Sequence, residues 1–242
     1  MHLFYITEKI SGILQFSEEE SRHCTKVLRL KVGDELHLTD GKGNLYKGKI
    51  LDNNSKACQI EVLEQIDDYP QLPYKLHIGV SSTKNGERLE WFIEKAVEIG
   101  ITEITALMCE RSKHISVKPD RIQRLMISAM KQSLRIVLPT FNSSTPFADF
   151  IQKTQNHYPQ KYIAYCGELT QNPPLLQTIY QPHQDTLVLI GPEGDFSPKE
   201  IQQSLNYGFV PVSLGMFRLR TETAAVLACS AVQLLNGYAR NL

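Results

Sequence analysis

The sequence has no excess of charge, with 26 lysines and arginines against 26 aspartates and glutamates in 242 residues. This balance argues against a protein that coats nucleic acid along its whole surface, although local basic clusters can still bind phosphate. No apolar run is long enough to span a bilayer, and the amino terminus lacks a basic region followed by an apolar one. We therefore expect a soluble, cytoplasmic protein that does not act in a membrane.

Motifs for metals, redox chemistry and common nucleotides are also missing. The five cysteines form no Cys-x-x-Cys motif and have no histidine at ligand spacing. We expect reduced core thiols and no metal. Neither the Gly-x-x-x-x-Gly-Lys-Ser/Thr loop nor the Gly-x-Gly-x-x-Gly pattern occurs, so no motif supports ATP or NAD as a ligand. His114 has basic neighbours, which is more typical of a solvated residue than of a catalyst. The five cysteines are Cys24, Cys58, Cys109, Cys166 and Cys229.

Two glycine-bearing segments are the most informative feature that is present. Gly-Pro-Glu-Gly-Asp-Phe-Ser occupies 191–197, and Leu-Gly-Met-Phe-Arg-Leu-Arg-Thr-Glu-Thr-Ala occupies 214–224. Each lies at the end of an apolar strand-like run, 186–190 and 209–214. In a parallel α/β sheet both loops would lie at the carboxyl edge, where such folds bind ligands. Each segment alone is also compatible with a simple turn or a capped helix start.

The remainder of the chain suggests two domains. Residues 1–70 carry a helix that begins after Ser17, then three strand-like runs separated by turn residues, which predicts a small β-barrel. A polar, proline-bearing linker follows at 67–73. From 74 to 242, strands and helices alternate, which predicts a parallel sheet with crossover helices. The predicted strands are 35–39, 45–51 and 57–66 in the first part, and 76–82, 104–108, 162–166, 186–190 and 209–214 in the second.

Several helices have recognisable faces or caps. Ser197, Pro198 and Glu200 predict an amino-terminal capping box with proline at the first helical position. A second helix should bury Leu89, Phe92, Ile93, Ala96 and Val97. A third should bury Ile122, Leu125, Met126, Ala129 and Met130.

At these residues the chain resembles the SPOUT class of methyltransferases, and within it the ribosomal RNA small-subunit methyltransferase E family. That family has Gly-Pro-Glu-Gly-Gly-Phe-Ser, then Leu-Gly, a short variable stretch and Leu-Arg-Thr-Glu-Thr-Ala. Asp195 replaces its second glycine, in a loop that could require a positive φ, which aspartate tolerates better than most residues. Met216, Phe217 and Arg218 replace a stretch that usually ends in Arg-Ile. Further matches are 94–100, 110–112, 132–135, 28–34 and 40–41, so the resemblance covers nearly the whole chain.

The resemblance implies a PUA-like RNA-binding barrel, a SPOUT domain with a carboxyl-terminal trefoil knot, and a homodimer. It implies methylation of N3 of a uridine in 16S (small-subunit) ribosomal RNA, to 3-methyluridine, with S-adenosyl-L-methionine as cofactor. Backbone groups of the knot loops would hold the cofactor, because glycines let backbone approach a ligand. The positions that match are Ile190, Gly191, Gly194, Leu214, Gly215 and Leu219.

The reaction that is implied needs a charged site, because the imide proton on N3 must leave before that nitrogen can attack. Arg220 is the candidate for stabilising the developing charge, and Glu222 or Glu193 for accepting the proton or orienting the base. An ion pair between Arg220 and Glu222 that only braces the loop is the alternative. Phosphate contacts are expected from basic residues, although a solvated face would look the same. The candidates for RNA binding are Arg22, Lys26, Arg29, Lys47, Arg111, Arg135 and Arg218.

Two other functions stay open from the sequence. One is another SPOUT methyltransferase that acts on transfer RNA or on a ribose 2′-hydroxyl. The other is a catalytically inactive PUA-like protein that binds RNA or assists ribosome assembly, which the departure at Asp195 allows. Binding of the cofactor separates the second from the first.

Overall fold

The computed structural model describes residues 1–7, 12–67, 69–83, 85–112, 118–166 and 172–237. His114 lies outside these residues. The chain divides into two compact units, one formed by 1–71 with 130–138 and the other by 72–129 with 139–242. The boundary predicted from sequence lies near residue 70, and residues 130–138 were expected in the second domain. In the part of the chain that the structure describes, no helix is long and apolar enough to cross a membrane.

The first unit is built on a five-stranded sheet with the order β1-β3-β4-β5-β2. Its strands are β1 (Leu3–Tyr5), β2 (Ile13–Gln15), β3 (Glu35–Thr39), β4 (Leu45–Asp52) and β5 (Gln59–Ile66). The three longer strands agree with the prediction from sequence. The two strands of three residues were missed, since such short runs carry no alternating pattern. Helix α1 (Glu18–Arg22) begins where predicted, with the Ser17 side chain accepting from the Glu20 N–H, and continues into a π-helical turn.

The segment 130–138 completes this first unit. Thr39 Oγ1 donates to the Ile136 carbonyl over 3.1 Å, and the Leu138 N–H donates to the Gly41 carbonyl over 2.8 Å. Ile136 is buried against Leu3 and Leu45. Gly41 has a φ of +71°, and a Cβ there would lie 3.1 Å from the side chain of Leu138. These contacts join residues far apart in sequence, so local pattern could not reveal them.

The second unit contains a six-stranded sheet in which every paired strand is parallel, as predicted. The strand order is β11-β9-β10-β6-β7-β8. Polar residues fill most of the edge strand β8, which is why sequence reasoning missed it. The strands are β6 (Leu76–Ser81), β7 (Glu103–Met108), β8 (Thr140–Pro146), β9 (Gln160–Ala164), β10 (Thr186–Ile190) and β11 (Val210–Val212).

The helices of this unit confirm the predicted cap and nearly all of the predicted faces, except that Leu125 of α3 is only half-buried. Helix α2 buries the five residues that its 3.6-residue period indicated. Before helix α6, Ser197 and Glu200 form the predicted capping box. Short helices α4 and α5 were not predicted. The helices are α2 (Gly86–Ile99), α3 (Pro119–Gln132), α4 (Phe147–Thr154), α5 (Leu176–Ile179), α6 (Pro198–Asn206) and α7 (Thr221–Asn236).

Candidate active site

A cavity of about 290 Å³ lies at the carboxyl ends of the adjacent strands β11, β9 and β10. Two loops form most of its wall: the glycine loop, residues 191–197, and the exposed loop, residues 213–220. Ala164 and Val212 from the strand ends and Ala224 from α7 add apolar surface. The structure brings all six predicted cofactor positions together in this wall, namely Ile190, Gly191, Gly194, Leu214, Gly215 and Leu219.

The glycine loop is held at Asp195, the position where this chain departs from the motif of the family that it resembles. Asp195 has a φ of +60°, so the positive φ considered from sequence is present. Its carboxylate accepts from the Cys166 N–H and from the Phe196 N–H, each over 2.8 Å. Its own N–H donates to the Pro192 carbonyl over 2.9 Å. Aspartate therefore tolerates the backbone conformation and also ties the loop to the end of β9.

Packing and two further hydrogen bonds also hold the glycine loop in place. A Cβ on Gly191 would lie 3.1 Å from the ring of the buried Phe196, so the loop has no room for a side chain there. The Gly191 carbonyl accepts from Thr221 Oγ1 over 3.0 Å. Arg111 Nη1 donates to the Gly194 carbonyl over 3.0 Å. Arg111, predicted from sequence to bind RNA, thus supports the loop in this structure.

The exposed loop is held much less. Ser213 Oγ accepts from the Gly215 N–H over 3.2 Å and donates to the Gly215 carbonyl over 3.1 Å. Met216 and Phe217 are 87% and 77% exposed. Arg220 ends the loop as the N-cap residue of α7, and its side chain makes no capping hydrogen bond. Large apolar and cationic side chains at this edge of the cavity therefore face solvent.

A second depression, the arginine groove, adjoins the cavity. Arg218 and Leu219 line both, so the two depressions are adjacent and share part of their walls. The other residues of the groove come from the first two turns of α2 with the residue before it, and from Arg220 and the start of α7. The arginine groove is lined by Asn85, Glu87, Arg88, Trp91, Arg218, Leu219, Arg220, Glu222 and Thr223.

Arg88 connects the two predicted catalytic glutamates. Its guanidinium lies 3.6 Å from Glu193 Oε1 and 3.7 Å from Glu222 Oε1. Glu222 is only 7% exposed, and its Oε2 has no hydrogen-bond partner among the described residues. Among the described residues, Glu222 forms its ion pair with Arg88. It forms none with Arg220 there, so the bracing ion pair that the sequence left open is not observed. Sequence reasoning missed Arg88, because an arginine in the first turns of an amphipathic helix has the pattern of an ordinary solvated residue.

The remaining RNA-binding candidates fall into two groups. In the first unit Arg22 pairs with Glu18 over 2.7 Å, and Lys47 pairs with Glu35 over 2.9 Å. Lys26 and Arg29 are exposed there, and Arg135 belongs to the segment 130–138 of the same unit. Arg218, in the second unit, lies beside the cavity.

A parallel sheet with a ligand cavity at its carboxyl edge, preceded by a small β-domain, is the architecture of an RNA methyltransferase with a PUA domain. Residues 70–233 match the family model of the RNA methyltransferase domain, and residues 16–63 match that of the RNA methyltransferase PUA domain. These matches confirm the SPOUT and PUA-like fold that the motifs predicted. The carboxyl-terminal knot stays a prediction.

The particular family follows from individual relatives. The ribosomal RNA small subunit methyltransferase E of Buchnera aphidicola from Acyrthosiphon pisum is 31% identical over 229 residues, covering 92% of this chain and 88% of that protein. Among solved structures, a probable rRNA-methyltransferase from Porphyromonas gingivalis is 38% identical, with a TM-score of 0.88 and 98% of each chain covered. Ribosomal RNA small subunit methyltransferase E from Neisseria gonorrhoeae, bound to S-adenosyl methionine, is 28% identical, with a TM-score of 0.86 over 97% of this chain and 98% of that chain. The chain belongs to the ribosomal RNA small subunit methyltransferase E family.

Proposed function

We propose that this protein methylates N3 of a specific uridine in 16S ribosomal RNA, giving 3-methyluridine, with S-adenosyl-L-methionine as the methyl donor. The observation that carries the proposal is the cavity at the carboxyl edge of the sheet, lined by all six expected cofactor positions and adjacent to a groove that holds charged catalytic candidates. The related Neisseria gonorrhoeae structure, which contains S-adenosyl methionine, supports the same cofactor here.

The residues that line the cavity fit this cofactor. Ile190, Val212 and Ala224 offer apolar contact to a purine ring, and Glu193 and Asp195 place carboxylates in the wall. Carboxylates attract a ligand with ammonium and sulfonium charges, and they repel a triphosphate. S-adenosylmethionine supplies an electrophilic methyl group on its sulfonium when bound. The chain's own task is to position the acceptor base in line with that methyl group.

Removal of the imide proton from N3 is the second task. Glu222 and Glu193 are the acceptors that we propose, with Glu222 favoured since its Oε2 is buried and without a partner among the described residues. Arg220 would stabilise the negative charge that develops on the base oxygens, because a guanidinium donates two parallel hydrogen bonds. Its place in the wall of the groove with Glu222 supports this role.

We further propose that the basic residues of the PUA-like unit contact phosphates of the RNA. The side chains of Arg22, Lys26, Arg29, Lys47 and Arg135 would contribute here, and Arg218 would act beside the cavity. Arg111 remains a candidate for RNA binding, and in this structure its side chain supports the glycine loop. A homodimer working in the cytoplasm is part of this proposal. Leu227, Leu234 and Leu235 of α7 are 39%, 79% and 37% exposed and are available to a second copy.

Two measurements test the function. Small ribosomal subunits and naked 16S RNA are incubated with the protein and S-adenosylmethionine, and nucleosides are identified by mass spectrometry. We expect 3-methyluridine; a ribose-methylated nucleoside, or product only on transfer RNA, would contradict the proposal. Calorimetry should detect binding of S-adenosylhomocysteine but not of ATP or NAD. No heat with S-adenosylhomocysteine would favour a pure RNA-binding protein.

A further inference from the structure

The arginine groove contains an aromatic side chain that the proposed function leaves unused. Trp91 is 46% exposed on α2 and is the only tryptophan in the chain. It shares the groove with Arg218, Arg220 and Glu222. Exposed aromatic rings beside cationic side chains are how proteins hold unstacked bases of single-stranded RNA.

We propose that the arginine groove binds one uracil base of the RNA, extruded from its stack, with Trp91 as the stacking surface and Glu222 as the acceptor that recognises the imide N–H. This inference rests on the proposed function and adds the residues that select and hold the base. It assigns Trp91 to substrate binding and Arg88 to positioning, roles that the motifs did not suggest.

The first argument is that Glu222 is buried and that its Oε2 has no hydrogen-bond partner among the described residues. Burying a carboxylate oxygen without a hydrogen-bond donor is costly, so a ligand that brings a donor gains affinity at that point. Uracil carries an N–H at N3, whereas cytosine carries an acceptor there. A buried, partner-deficient carboxylate therefore favours uracil and disfavours cytosine by leaving two acceptors face to face.

The second argument is the position of Arg88. Its guanidinium lies 3.6 Å from Oε1 of Glu193 in the glycine loop and 3.7 Å from Oε1 of Glu222 in the first turn of α7. A cation between two carboxylates reduces their mutual repulsion. Because Arg88 pairs with Oε1 of Glu222, it holds that carboxylate in place, while Oε2 has no partner among the described residues. Arg88 is thus a positioning residue, acting through the two glutamates.

The third argument is proximity. Arg218 and Leu219 line both the groove and the cavity, so a base in the groove would lie next to the wall that the groove shares with the proposed cofactor cavity. Extrusion of the target is the usual solution when an enzyme must reach an atom that base pairing or stacking hides. Arg218 and Arg220 supply donors for the carbonyl oxygens or the adjoining phosphate.

Kinetics with the RNA or small subunits that the wild type methylates give the decisive test. Trp91→Ala should raise KM for that substrate on the order of tenfold to a hundredfold, with kcat changed less and with S-adenosylhomocysteine affinity unchanged. Trp91→Phe, which keeps a stacking face, should restore most of the affinity. Val210→Ala is the matched control, since Val210 is 42% exposed outside the groove. A wild-type KM in Trp91→Ala would overturn the proposal.

The single tryptophan also provides a spectroscopic readout. With S-adenosylhomocysteine present, uridine monophosphate should quench the emission of Trp91 over the same concentrations at which it inhibits methylation, and cytidine monophosphate should do so less. In Glu222→Gln the preference for uridine should shrink. Equal quenching by both nucleotides, or emission that changes with protein concentration and not with nucleotide, would contradict the assignment; the latter would place a second copy of the chain on this face.

Arg88 is tested through the separation of kcat from binding. Arg88→Ala should lower kcat on the order of tenfold, with the affinity for S-adenosylhomocysteine nearly unchanged, because the Glu222 carboxylate is no longer held in place, and Arg88→Lys should restore kcat in part. Lys95→Ala is the control, because Lys95 pairs with Glu94 and Glu98 elsewhere on α2. A wild-type kcat in a folded Arg88→Ala protein would remove the positioning role. If the wild type methylates no RNA, the proposed function fails; if it does and these variants match it, only the present inference fails.

Discussion

The glycine loop and the exposed loop line the same cavity, but the fold holds them very differently. The glycine loop is fastened by the Asp195 carboxylate, by Arg111 and by the buried ring of Phe196. The exposed loop carries internal hydrogen bonds between Ser213 and Gly215, and it leaves Met216 and Phe217 in solvent. One wall of the cavity is therefore tied to neighbouring elements by side-chain contacts, whereas the tip of the other lies in solvent.

This difference has an energetic consequence. A loop that is already ordered loses little conformational entropy when a ligand binds, so its backbone groups contribute their full interaction. We expect the exposed loop to lose more conformational entropy on binding, because its tip at Met216 and Phe217 lies in solvent, and this loss offsets part of its interaction energy. We expect substitutions in the glycine loop to affect stability and cofactor affinity together, and substitutions in the exposed loop to affect activity without unfolding the protein.

Arg220→Ala should produce the largest effect on activity. If Arg220 stabilises charge as the N3 proton leaves, its loss should reduce turnover on the order of a hundredfold or more, with cofactor affinity nearly unchanged. Arg220→Lys should recover little, because a point charge does not replace a planar fork. Single-turnover rates and calorimetry with S-adenosylhomocysteine measure the two quantities.

Arg124→Ala is the control for general loss of positive charge, since Arg124 is exposed on α3, where its Nε donates to the Asp120 carbonyl of the same helix. A folded Arg220→Ala protein with near-wild-type single-turnover rates would remove Arg220 from the catalytic residues. Attention would then move to Arg218, which faces the same groove.

A pair of glycine substitutions compares the two loops directly. In Gly191→Ala the new Cβ would press on the fixed ring of Phe196, so we expect a stability loss of about 2 kcal/mol and cofactor binding weakened roughly tenfold. In Gly215→Ala no heavy atom lies within 4 Å of the new Cβ, but φ is +140°, which strains the backbone. The exposed loop can relax, so binding should weaken while thermal stability changes little. Equal losses of melting temperature would show that both loops are equally fixed.

Asp195→Ala should loosen the glycine loop at a single point. The variant loses the acceptors for the Cys166 and Phe196 N–H groups and puts alanine at a positive φ, so we expect about 1 to 2 kcal/mol of destabilisation. Asp195→Gly relieves the strain but still lacks the acceptors, and should lie between wild type and Asp195→Ala. Thermal melts of the three proteins give the order, and an Asp195→Ala protein as stable as wild type would contradict the role of the carboxylate.

The smallest expected effect concerns the alkylation of Cys166. It is exposed in the cavity wall, while the other four cysteines are buried. Burial chiefly, with the nearby Asp195, raises the pKa of the Cys166 thiol, and Arg218 opposes this. In the folded protein we therefore expect alkylation at Cys166 alone, slow at neutral pH and faster as pH rises, with protection by S-adenosylhomocysteine. Mass spectrometry of the alkylated peptides measures this, and labelling that ignores the cofactor product would place Cys166 outside its site.

The sequence by itself determined those features that depend on neighbouring residues. The strand 186–190, the capping box of α6 and the buried face of α2 follow from short-range periodicity and capping chemistry, and the structure shows each of them. The meeting of the two glycine-bearing segments at one edge of the sheet could also be predicted, because loops after parallel strands emerge at the carboxyl edge. The six predicted cofactor positions on those segments came from the family resemblance. A family resemblance added the reaction, which no local pattern contains.

Tertiary structure alone decided the features that join distant parts of the chain. The segment 130–138 belongs to the first unit only through contacts such as that of Thr39 with Ile136. Arg88 became part of the site because α2 packs beside α7, which brings its guanidinium between Glu193 and Glu222. Local sequence records the intrinsic preference of a residue, whereas its partners depend on how the whole sheet and its helices pack together.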